Sequence, residues 1–549
     1  MGLHKRQTRR ESGRVMLRIN ELSLPLGSGK ADIQRAAGKA LGIPVNDFRS
    51  FTILRESIDS RKKNDIKMIY AVGVELDGDE ASIAARFPSN KVLFTQRYEY
   101  TFPTLRRQSR FRPVVVGFGP AGMFAGLMLA KAGLNPIILE RGEPVEQREE
   151  SVRRFWTTRE LNTESNVQFG EGGAGTFSDG KLTTGIKDGR CREVLRQLVK
   201  HGAPDDILYS AKPHIGTDLL PNVVRAFREE ILSLGGEVRF GCRMTDVINA
   251  NGAVYGLRYV KNGVEADVET DAVILCVGHS ARDTVTTLYH SGIRMEQKAF
   301  SVGTRIEHPQ DLINRAQYGA LWNDPRLGAA DYKLSNHPPH GRGAYTFCMC
   351  PGGTVVTASS ENEMVVTNGM SRRARDGENA NSAILVGIEP GQFESDHPLA
   401  GFDFQRMLER KAYAFGGSDY TAPAQLLGDF LRGKRSTACG TVRPSCPTGV
   451  SFGAMTDVLP PFVTQEIEQA IRVWDRRLRG FALNDAVLTY PESRSSSPVR
   501  ILRDHSYQAN IRGLYPCGEG AGYAGGIVSA AADGIRCAEA VISEKEVTK

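Results

Sequence analysis

The sequence lacks any apolar run of the roughly 18–20 residues that a membrane-spanning helix requires. Its first segment, Met1 to Arg14, is basic, but no apolar stretch follows it as in a secretory signal. We therefore predict no membrane association and interpret residues 1–14 as a flexible basic tail. A hydrophobic content of 40% and a mean hydropathy of −0.30 indicate a globular chain with an ample core.

Cysteine is sparse, and its nine copies show no framework spacing. This pattern excludes a disulfide scaffold and is typical of reduced thiols, so we predict a cytoplasmic protein. One residue separates Cys348 from Cys350, whereas a disulfide oxidoreductase motif has two, and buried inert thiols are the default interpretation. Histidine, cysteine and carboxylate spacings predict no metal site. The sequence also lacks a serine nucleophile elbow.

Acidic residues are scarce at the front of the chain. Residues 1–112 hold 7 Lys and 15 Arg against 12 Asp and Glu, or +10, so the net charge of +7 leaves −3 for the remainder. Such asymmetry suggests either an acidic partner such as a nucleic acid or a solvated basic surface with a tail. Both interpretations are open from the sequence.

What the sequence does contain is a dinucleotide-binding fingerprint. Three valines, 114–116, form a short β-branched run of the kind that builds a buried parallel strand. Gly117 allows a tight turn, Gly119 lets the backbone approach a pyrophosphate, and Gly122 lets the next helix pack closely on the strand. Glu140 ends the next apolar run, 23 residues after the first glycine, close to the ~20 expected for a carboxylate on a ribose hydroxyl.

The same glycine spacing occurs twice more, at 170–175 and at 520–525. The former has no buried strand before it, and neither has an acidic residue on a following strand. We therefore predict one nucleotide-binding turn and no second domain for a nicotinamide cofactor. NADH or NADPH docking transiently as an electron donor is compatible with this pattern.

The chain divides into five predicted segments, of which the basic tail 1–14 is the first. Residues 15–110 show the order strand-helix-strand-strand-helix-strand of a ferredoxin-like α+β domain. Residues 111–294 begin the dinucleotide-binding domain and include a β-meander near 237–273. Residues 295–435 lack the pattern of buried parallel strands and are predicted to be an inserted substrate domain. Residues 436–549 are predicted to return to the domain that begins at residue 111.

The chain resembles the two-part FAD-dependent oxidoreductases related to glutathione reductase and the fumarate reductase flavoproteins. More closely, it resembles a bacterial family of FAD-dependent or NAD(FAD)-utilising dehydrogenases of unknown substrate. The matching segments are 117–126, 139–142, 166–184 and 518–527. The resemblance implies an α/β fold with a discontinuous, three-layer Rossmann-like FAD-binding domain, an inserted substrate domain and the ferredoxin-like domain in front.

The resemblance also implies which residues hold FAD. An apolar strand ending at Gly278 returns to the pyrophosphate, and Glu519 stands where an aspartate usually holds the ribityl chain. The helix that opens at Gly525 would point its positive end at the flavin N1/C2 carbonyl edge, where the reduced flavin is anionic. The complete predicted cofactor set is Gly117, Gly119, Pro120, Ala121, Gly122, Glu140, Arg141, Gly172, Gly173, Ala174, Gly175, Thr176, Asp179, Gly180, Lys181, Leu182, Thr183, Gly278, Gly518, Glu519, Gly525, Gly526 and Ile527.

Three residues are candidates for chemistry at the flavin. Lys181 is predicted to contact flavin N5 or a substrate carboxylate, or else a phosphate or solvent. His279 is a candidate acid or base, with a simple polar contact as the alternative. Arg494 is a candidate for anion recognition, because a guanidinium fork matches a carboxylate, with an ion pair to Glu492 as the alternative.

The sequence therefore predicts an FAD-dependent oxidoreductase that transfers a hydride between flavin N5 and a small anionic substrate. A flavin-dependent RNA-modifying enzyme is the second hypothesis, suggested by the basic front domain. A non-catalytic flavin-binding protein is the third.

Overall fold

The computed structural model describes residues 15–544 except 97, 108, 109, 340 and 394, so the predicted basic tail lies outside the described residues. The chain forms two compact units. The first contains residues 15–102 together with Leu208–Pro213, and the second contains Pro103–Ile207 together with residues 214–544.

The described ranges contain twelve α-helices. They are α1 Lys30–Leu41, α2 Glu80–Ala84, α3 Pro120–Lys131, α4 Val145–Thr158, α5 Arg190–Lys200, α6 Leu220–Ser233, α7 Arg282–His290, α8 Gln310–Tyr318, α9 Ala400–Phe415, α10 Leu427–Leu431, α11 Pro461–Arg477 and α12 Ile527–Ser543. Across these residues, no helix combines the length and the apolar character needed to cross a membrane.

The same ranges contain twenty-three strands. They are β1 Val15–Pro25, β2 Phe48–Asp59, β3 Lys67–Leu76, β4 Val92–Gln96, β5 Val114–Val116, β6 Ile137–Leu139, β7 Glu237–Arg239, β8 Cys242–Ala250, β9 Ala253–Lys261, β10 Val264–Glu269, β11 Val273–Leu275, β12 Met295–Gln297, β13 Phe300–Pro309, β14 Ser335–Asn336, β15 Ala344–Cys350, β16 Gly353–Thr357, β17 Thr367–Ser371, β18 Asn379–Ile388, β19 Ala422–Leu426, β20 Val450–Phe452, β21 Val487–Glu492, β22 Val499–Ile501 and β23 Leu514–Pro516.

The first unit is a four-stranded antiparallel sheet in the order β2-β3-β1-β4. Alternate residues of β1 and β3 are apolar, and those on one face, such as Leu17, Ile19 and Val72, pack under α1 in a core of their own. Two helices connect parallel-running strands that are not neighbours. This is the ferredoxin-like arrangement that the element order predicts.

The second unit is built on a parallel sheet in the order β23-β11-β5-β6-β7. Its four strands from β23 to β6 are buried along their whole length, which explains why each reads as an uninterrupted apolar run. Helix α3 packs against α12, where a Cβ on Gly534 would lie 2.2 Å from the Ala121 carbonyl oxygen. The C-terminal segment thus completes the layer that the fingerprint begins.

Strands β8, β9 and β10 form the predicted meander. A larger sheet of seven strands, β14-β15-β18-β13-β21-β19-β20, follows it in the second unit. Two of these strands, β20 and β21, lie after residue 435, so the predicted end of the inserted segment comes too early. The buried strand Val487–Glu492 belongs to this sheet because it pairs with both β13 and β19. The predicted fold class, a Rossmann-type FAD-binding domain with additional α/β parts, is confirmed.

Candidate functional site

The fingerprint turn joins β5 to α3 and leaves no room for side chains. Gly117 has φ +96°, and a Cβ there would lie 2.4 Å from the Cys276 carbonyl oxygen. A Cβ on Gly122 would lie 1.9 Å from the Gly117 carbonyl oxygen. Pro120 begins the helix and Ala121 follows it, both partly or wholly buried. Only glycine fits at positions 117 and 122. The N-terminus of α3 favours a phosphate beside this turn.

Glu140 lies at the carboxyl end of β6 and is 4% exposed. Its Oε2 accepts a hydrogen bond from the Phe118 amide at 2.7 Å, and its Oε1 accepts from the amides of Gly142 and Gly170, both at 2.9 Å. The carboxylate therefore ties the fingerprint turn to the loop at residue 170. A carboxylate has about four lone-pair positions, so a position for a ribose hydroxyl is left.

Arg141, predicted to bind the cofactor, is engaged elsewhere. Its guanidinium donates to Glu164 at 3.0 Å and to Asp283 at 2.9 and 3.1 Å, and it lies over the Phe169 ring at 4.1 Å. These contacts place Arg141 beside the 166–173 segment as a support.

Arg148 of α4 binds the loop 166–173 through hydrogen bonds. The sequence alone does not indicate this role. The side chain is fully buried. It donates to the carbonyl oxygens of Asn166, Glu171, Val167 and Gly173 at 2.9, 2.6, 3.0 and 2.9 Å. Burial lowers the pKa of Arg148 to about 10, although the charges of Glu140, Glu171 and Glu143 oppose that shift. The loop shape thus depends on one guanidinium.

Two glycines let the loop 166–173 lie close to the fingerprint turn. Gly172 has φ +82° and donates to the Phe118 carbonyl oxygen at 2.8 Å. A Cβ on Gly173 would lie 3.0 Å from the Gly119 Cα. The 3₁₀ turn Gly173–Phe177, which contains Ala174, Gly175 and the buried Thr176, runs from there toward Ile527 at the start of α12. The segments predicted to hold the cofactor therefore meet in one cradle.

The last predicted cofactor segment follows β23. Gly518 has φ +73°, and its amide donates to Asp533 of α12 at 2.8 Å. Burial raises the pKa of Glu519 to about 7, although the Gly526 amide and the Lys298 charge oppose that shift. Gly278 also has a positive φ, +72°, at the end of the neighbouring strand.

Asp533 is a second support that the sequence does not reveal. Arg503 donates to its two carboxylate oxygens at 2.9 and 2.8 Å. Cys517, Asp533 and Cys537 place ligand atoms within 4.8 Å of one another. A cation at that point would face the Arg503 guanidinium, so we assign this group to the packing of α12 rather than to a metal.

Asp179 joins the glycine-rich loop to β17. It is fully buried and accepts hydrogen bonds from Ser371 and from Arg375, the latter at 3.1 and 2.6 Å. Lys181 lies 3.8 Å from the same carboxylate and keeps 28% of its side chain exposed. Burial alone would raise the pKa of Asp179, but Arg375 and Lys181 lower it below its usual value. Asp179 is therefore a partner for both cations, and its contact with the cofactor stays a prediction.

The residues around Lys181 complete this junction. Gly180 has φ +66°, Leu182 is buried and Thr183 is exposed. His214 forms an isolated bridge with Lys181. Burial and the nearby Arg375 lower the pKa of His214 to about 4, so it is neutral near pH 7.

His279 sits at the end of the β11 segment with Nδ1 at 2.9 Å from the Ser280 hydroxyl. Burial, followed by the charges of Arg494 and Arg282, lowers its pKa to about 3. The imidazole is therefore neutral at physiological pH and donates no proton as an imidazolium.

Arg494 does not pair with Glu492. It donates through Nε and a terminal nitrogen to Glu409 at 2.9 and 2.7 Å, and through its other nitrogen to Ser360 and Ser280 at 2.6 and 3.1 Å. Arg282 donates to the opposite side of Glu409 at 2.9 and 2.7 Å. With its donors occupied and its side chain buried, Arg494 is a structural element in this conformation.

Comparisons with known proteins match two parts of the chain to family models and nearly the whole chain to one relative. A family model described as "FAD-dependent protein, C-terminal domain-like" matches residues 299–495, and a model for a domain of unknown function matches residues 16–75. An uncharacterized protein of Clostridium beijerinckii is 46% identical over 538 residues, which cover 97% of this chain and 100% of that protein.

Several solved flavoproteins are weakly similar to this chain. A triple mutant of the flavin-dependent brominase Bmp2 has a TM-score of 0.34 at 13% identity and covers 79% of this chain and 80% of its own. A geranylgeranyl bacteriochlorophyll reductase-like protein from Thermoplasma acidophilum has a TM-score of 0.34 at 11% identity, with 79% and 78% covered. The E. coli quinol fumarate reductase FrdA has a TM-score of 0.33 at 10% identity, and the match covers 79% of this chain and 70% of FrdA.

Proposed function

This chain belongs to the same family as the Clostridium beijerinckii protein and binds FAD, and we propose that it is an oxidoreductase that transfers a hydride between the flavin and a small anionic substrate. The glycine turns at 117–122 and 172–175, closed by Glu140, fit the pyrophosphate and ribose of FAD. When bound, FAD supplies the atom that accepts or releases the hydride, and the chain supplies orientation and charge.

One observation carries the proposal of an anionic substrate. Lys181 and Arg375 share the single buried carboxylate of Asp179, so that carboxylate neutralises only one of the two cations. Lys181 is the more exposed of the two cations and sits on the loop that lines the cradle. Its ammonium is therefore placed to bind and orient a carboxylate or phosphate group of a substrate.

The other two candidate residues take different roles in this proposal. His279 is neutral and Arg494 is bound to Glu409, so both hold the strand ends in place. Lys181 is the residue that we propose to contact the substrate.

The first experiment follows the visible spectrum of the purified protein anaerobically while NADH and then NADPH are added. We expect a flavin band that one of these donors, or the enzyme's own substrate, bleaches. Absence of a flavin band after incubation with FAD would refute FAD binding. A band that no donor and no metabolite in a broad screen bleaches would support the non-catalytic alternative.

A second experiment tests the anion site. Small carboxylates and phosphates are screened for a change in the flavin absorbance of the holoprotein, and the tightest is titrated into Lys181→Gln. We expect its dissociation constant to rise at least tenfold. The matched control is Lys187→Gln, which removes an exposed lysine of the same segment and should leave binding unchanged. Equal affinity in the two variants would contradict the assignment of Lys181.

A further inference from the structure

Strand β15 carries a bulge that holds two cysteines. Phe347 pairs with Ala383 and Cys350 with Asn381, so β15 advances three residues where β18 advances two. Cys348, inside the bulge, has φ +42°, a left-handed conformation that residues with a Cβ rarely adopt. Such strained positions are concentrated at functional sites.

The bulge changes what the two thiols can do. In a regular strand, residues two apart lie about 6.6 Å apart along the chain, whereas the Cβ atoms of a disulfide lie about 3.8 Å apart. Here the Cys350 thiol donates a hydrogen bond to the Cys348 carbonyl oxygen at 3.2 Å. The Cys350 sulfur therefore lies against the residue with which it would form a disulfide.

The two cysteines differ in access. Cys350 is fully buried, whereas Cys348 is partly exposed and follows the exposed Phe347. A reagent can reach Cys348 first. This pairing of an accessible thiol with a buried neighbour is typical of a nucleophilic cysteine and its resolving partner.

The charges around the pair favour a thiolate at Cys348. Arg305 donates to the Cys348 carbonyl oxygen at 3.0 Å and is held by Glu492, and Lys181 approaches from the glycine-rich loop. The hydrogen bond from Cys350, aided by Lys181 and Arg305 and opposed by burial and Asp179, lowers the pKa of Cys348 to about 5. The pKa of Cys350 is raised well above its usual value.

We propose that Cys348 and Cys350 form a redox-active dithiol that reduces small-molecule disulfides. The Cys348 thiolate attacks one sulfur of the disulfide, its S–S bond breaks, and the first thiol leaves. The Cys350 sulfur then attacks Cys348 in the mixed disulfide and releases the second thiol. One leaving thiolate takes the Cys350 proton and the other takes a proton from water, so one disulfide becomes two thiols while the dithiol becomes a Cys348–Cys350 disulfide.

Lys181 takes part in both proposals, because its charge faces Cys348 and the anion site. The thiol chemistry needs neither a flavin donor nor the unidentified substrate. Its tests can therefore fail or succeed separately from those of the proposed hydride transfer.

The first test measures alkylation of the reduced holoprotein by iodoacetamide at pH 6, with the modified peptides identified by mass spectrometry. Cys439 is an internal control, because it is exposed and lies outside the bulge. We expect Cys348 to react at least tenfold faster than Cys439 despite its lower exposure. A rate equal to or below that of Cys439 would overturn the proposal.

The second test equilibrates the holoprotein with mixtures of reduced and oxidised glutathione before acid quenching. We expect a peptide containing a Cys348–Cys350 disulfide, two hydrogen masses lighter, in the parent and in Cys439→Ser. In Cys350→Ser the product should be a glutathione adduct on Cys348. If the parent forms no internal disulfide at any ratio, the dithiol is not redox-active, and this result stands even if Cys350→Ser does not fold.

Discussion

Replacing Arg148 by methionine tests whether one guanidinium shapes the FAD cradle. The substitution keeps much of the side-chain volume but removes the Arg148 hydrogen bonds to four carbonyl oxygens of the loop 166–173, of which that of Glu171 keeps a second donor, the Thr176 hydroxyl at 3.2 Å. Each buried carbonyl that loses its donor costs about 1–3 kcal/mol. Part of this cost is recovered, because the guanidinium need no longer be buried and the loop can reach water.

We therefore expect a net cost of about 3 kcal/mol for ordering the loop. If FAD binds the ordered loop, this cost raises the dissociation constant about 100-fold, since each 1.4 kcal/mol is a factor of ten. Titration of FAD into the apoprotein, followed by flavin fluorescence, measures the change. Arg148→Lys should recover part of the affinity, because an ammonium has three donors.

The matched control is Arg153→Met on the same helix. Arg153 is 66% exposed and pairs with Glu150 one turn away, so its removal should change FAD affinity by less than about twofold. If Arg148→Met binds FAD within about threefold of the parent and keeps the parent's circular dichroism, the loop does not depend on the guanidinium and the reasoning is wrong.

Three further predictions concern buried groups. Glu409→Gln should lower the free energy of unfolding by about 3–5 kcal/mol, because Arg282 and Arg494 both lose their shared charge, and a parent-like urea midpoint would contradict this. Burial raises the pKa of Glu171 to about 7, so the folded state keeps a proton that the unfolded state releases. The free energy of unfolding should therefore fall as pH rises from about 4.5 to 7, and Glu171→Gln should remove up to about 3 kcal/mol of that fall. Parallel pH profiles of the parent and the variant would contradict this. Gly122→Ala should abolish FAD retention during gel filtration, because its Cβ would meet backbone at 1.9 Å, whereas Gly185→Ala, with nothing within 4 Å, should retain FAD; retention by both would show that the turn can adjust.

Much of the parallel sheet could be predicted because its information is local. Buried strands such as Val114–Val116 and Ile137–Leu139 are continuous apolar runs, and the glycines between them mark the turn. The ferredoxin-like unit was predictable for the same reason, since β3 has a large apolar residue at every second position. The position of Glu140 followed from a fixed spacing.

The supports of the site could not be predicted, because they join residues far apart in the chain. Arg148 lies on an ordinary amphipathic helix, and nothing near it indicates that it will be buried. Arg494 was predicted as an anion-binding residue, and it does hold a carboxylate, but that carboxylate is Glu409 of a distant helix. The extent of the inserted sheet was missed because Val487–Glu492 pairs with residues that precede it by 61 to 189 positions. Nucleic-acid binding by the basic front domain stays a prediction.

The place of β23 in the parallel sheet has a consequence for biosynthesis. The strand Leu514–Pro516 pairs with β11, and the following helix packs on α3, so the layer around the fingerprint closes only when these late residues are available. Domains fold as units during synthesis, from the N-terminus onward. On the ribosome, the ferredoxin-like unit therefore has most of its chain early, whereas the FAD cradle stays open until β23 and α12 have been made. A nascent chain stalled before residue 514 should expose an apolar sheet edge to chaperones. FAD should bind only after the residues of β23 and α12 have folded onto this layer.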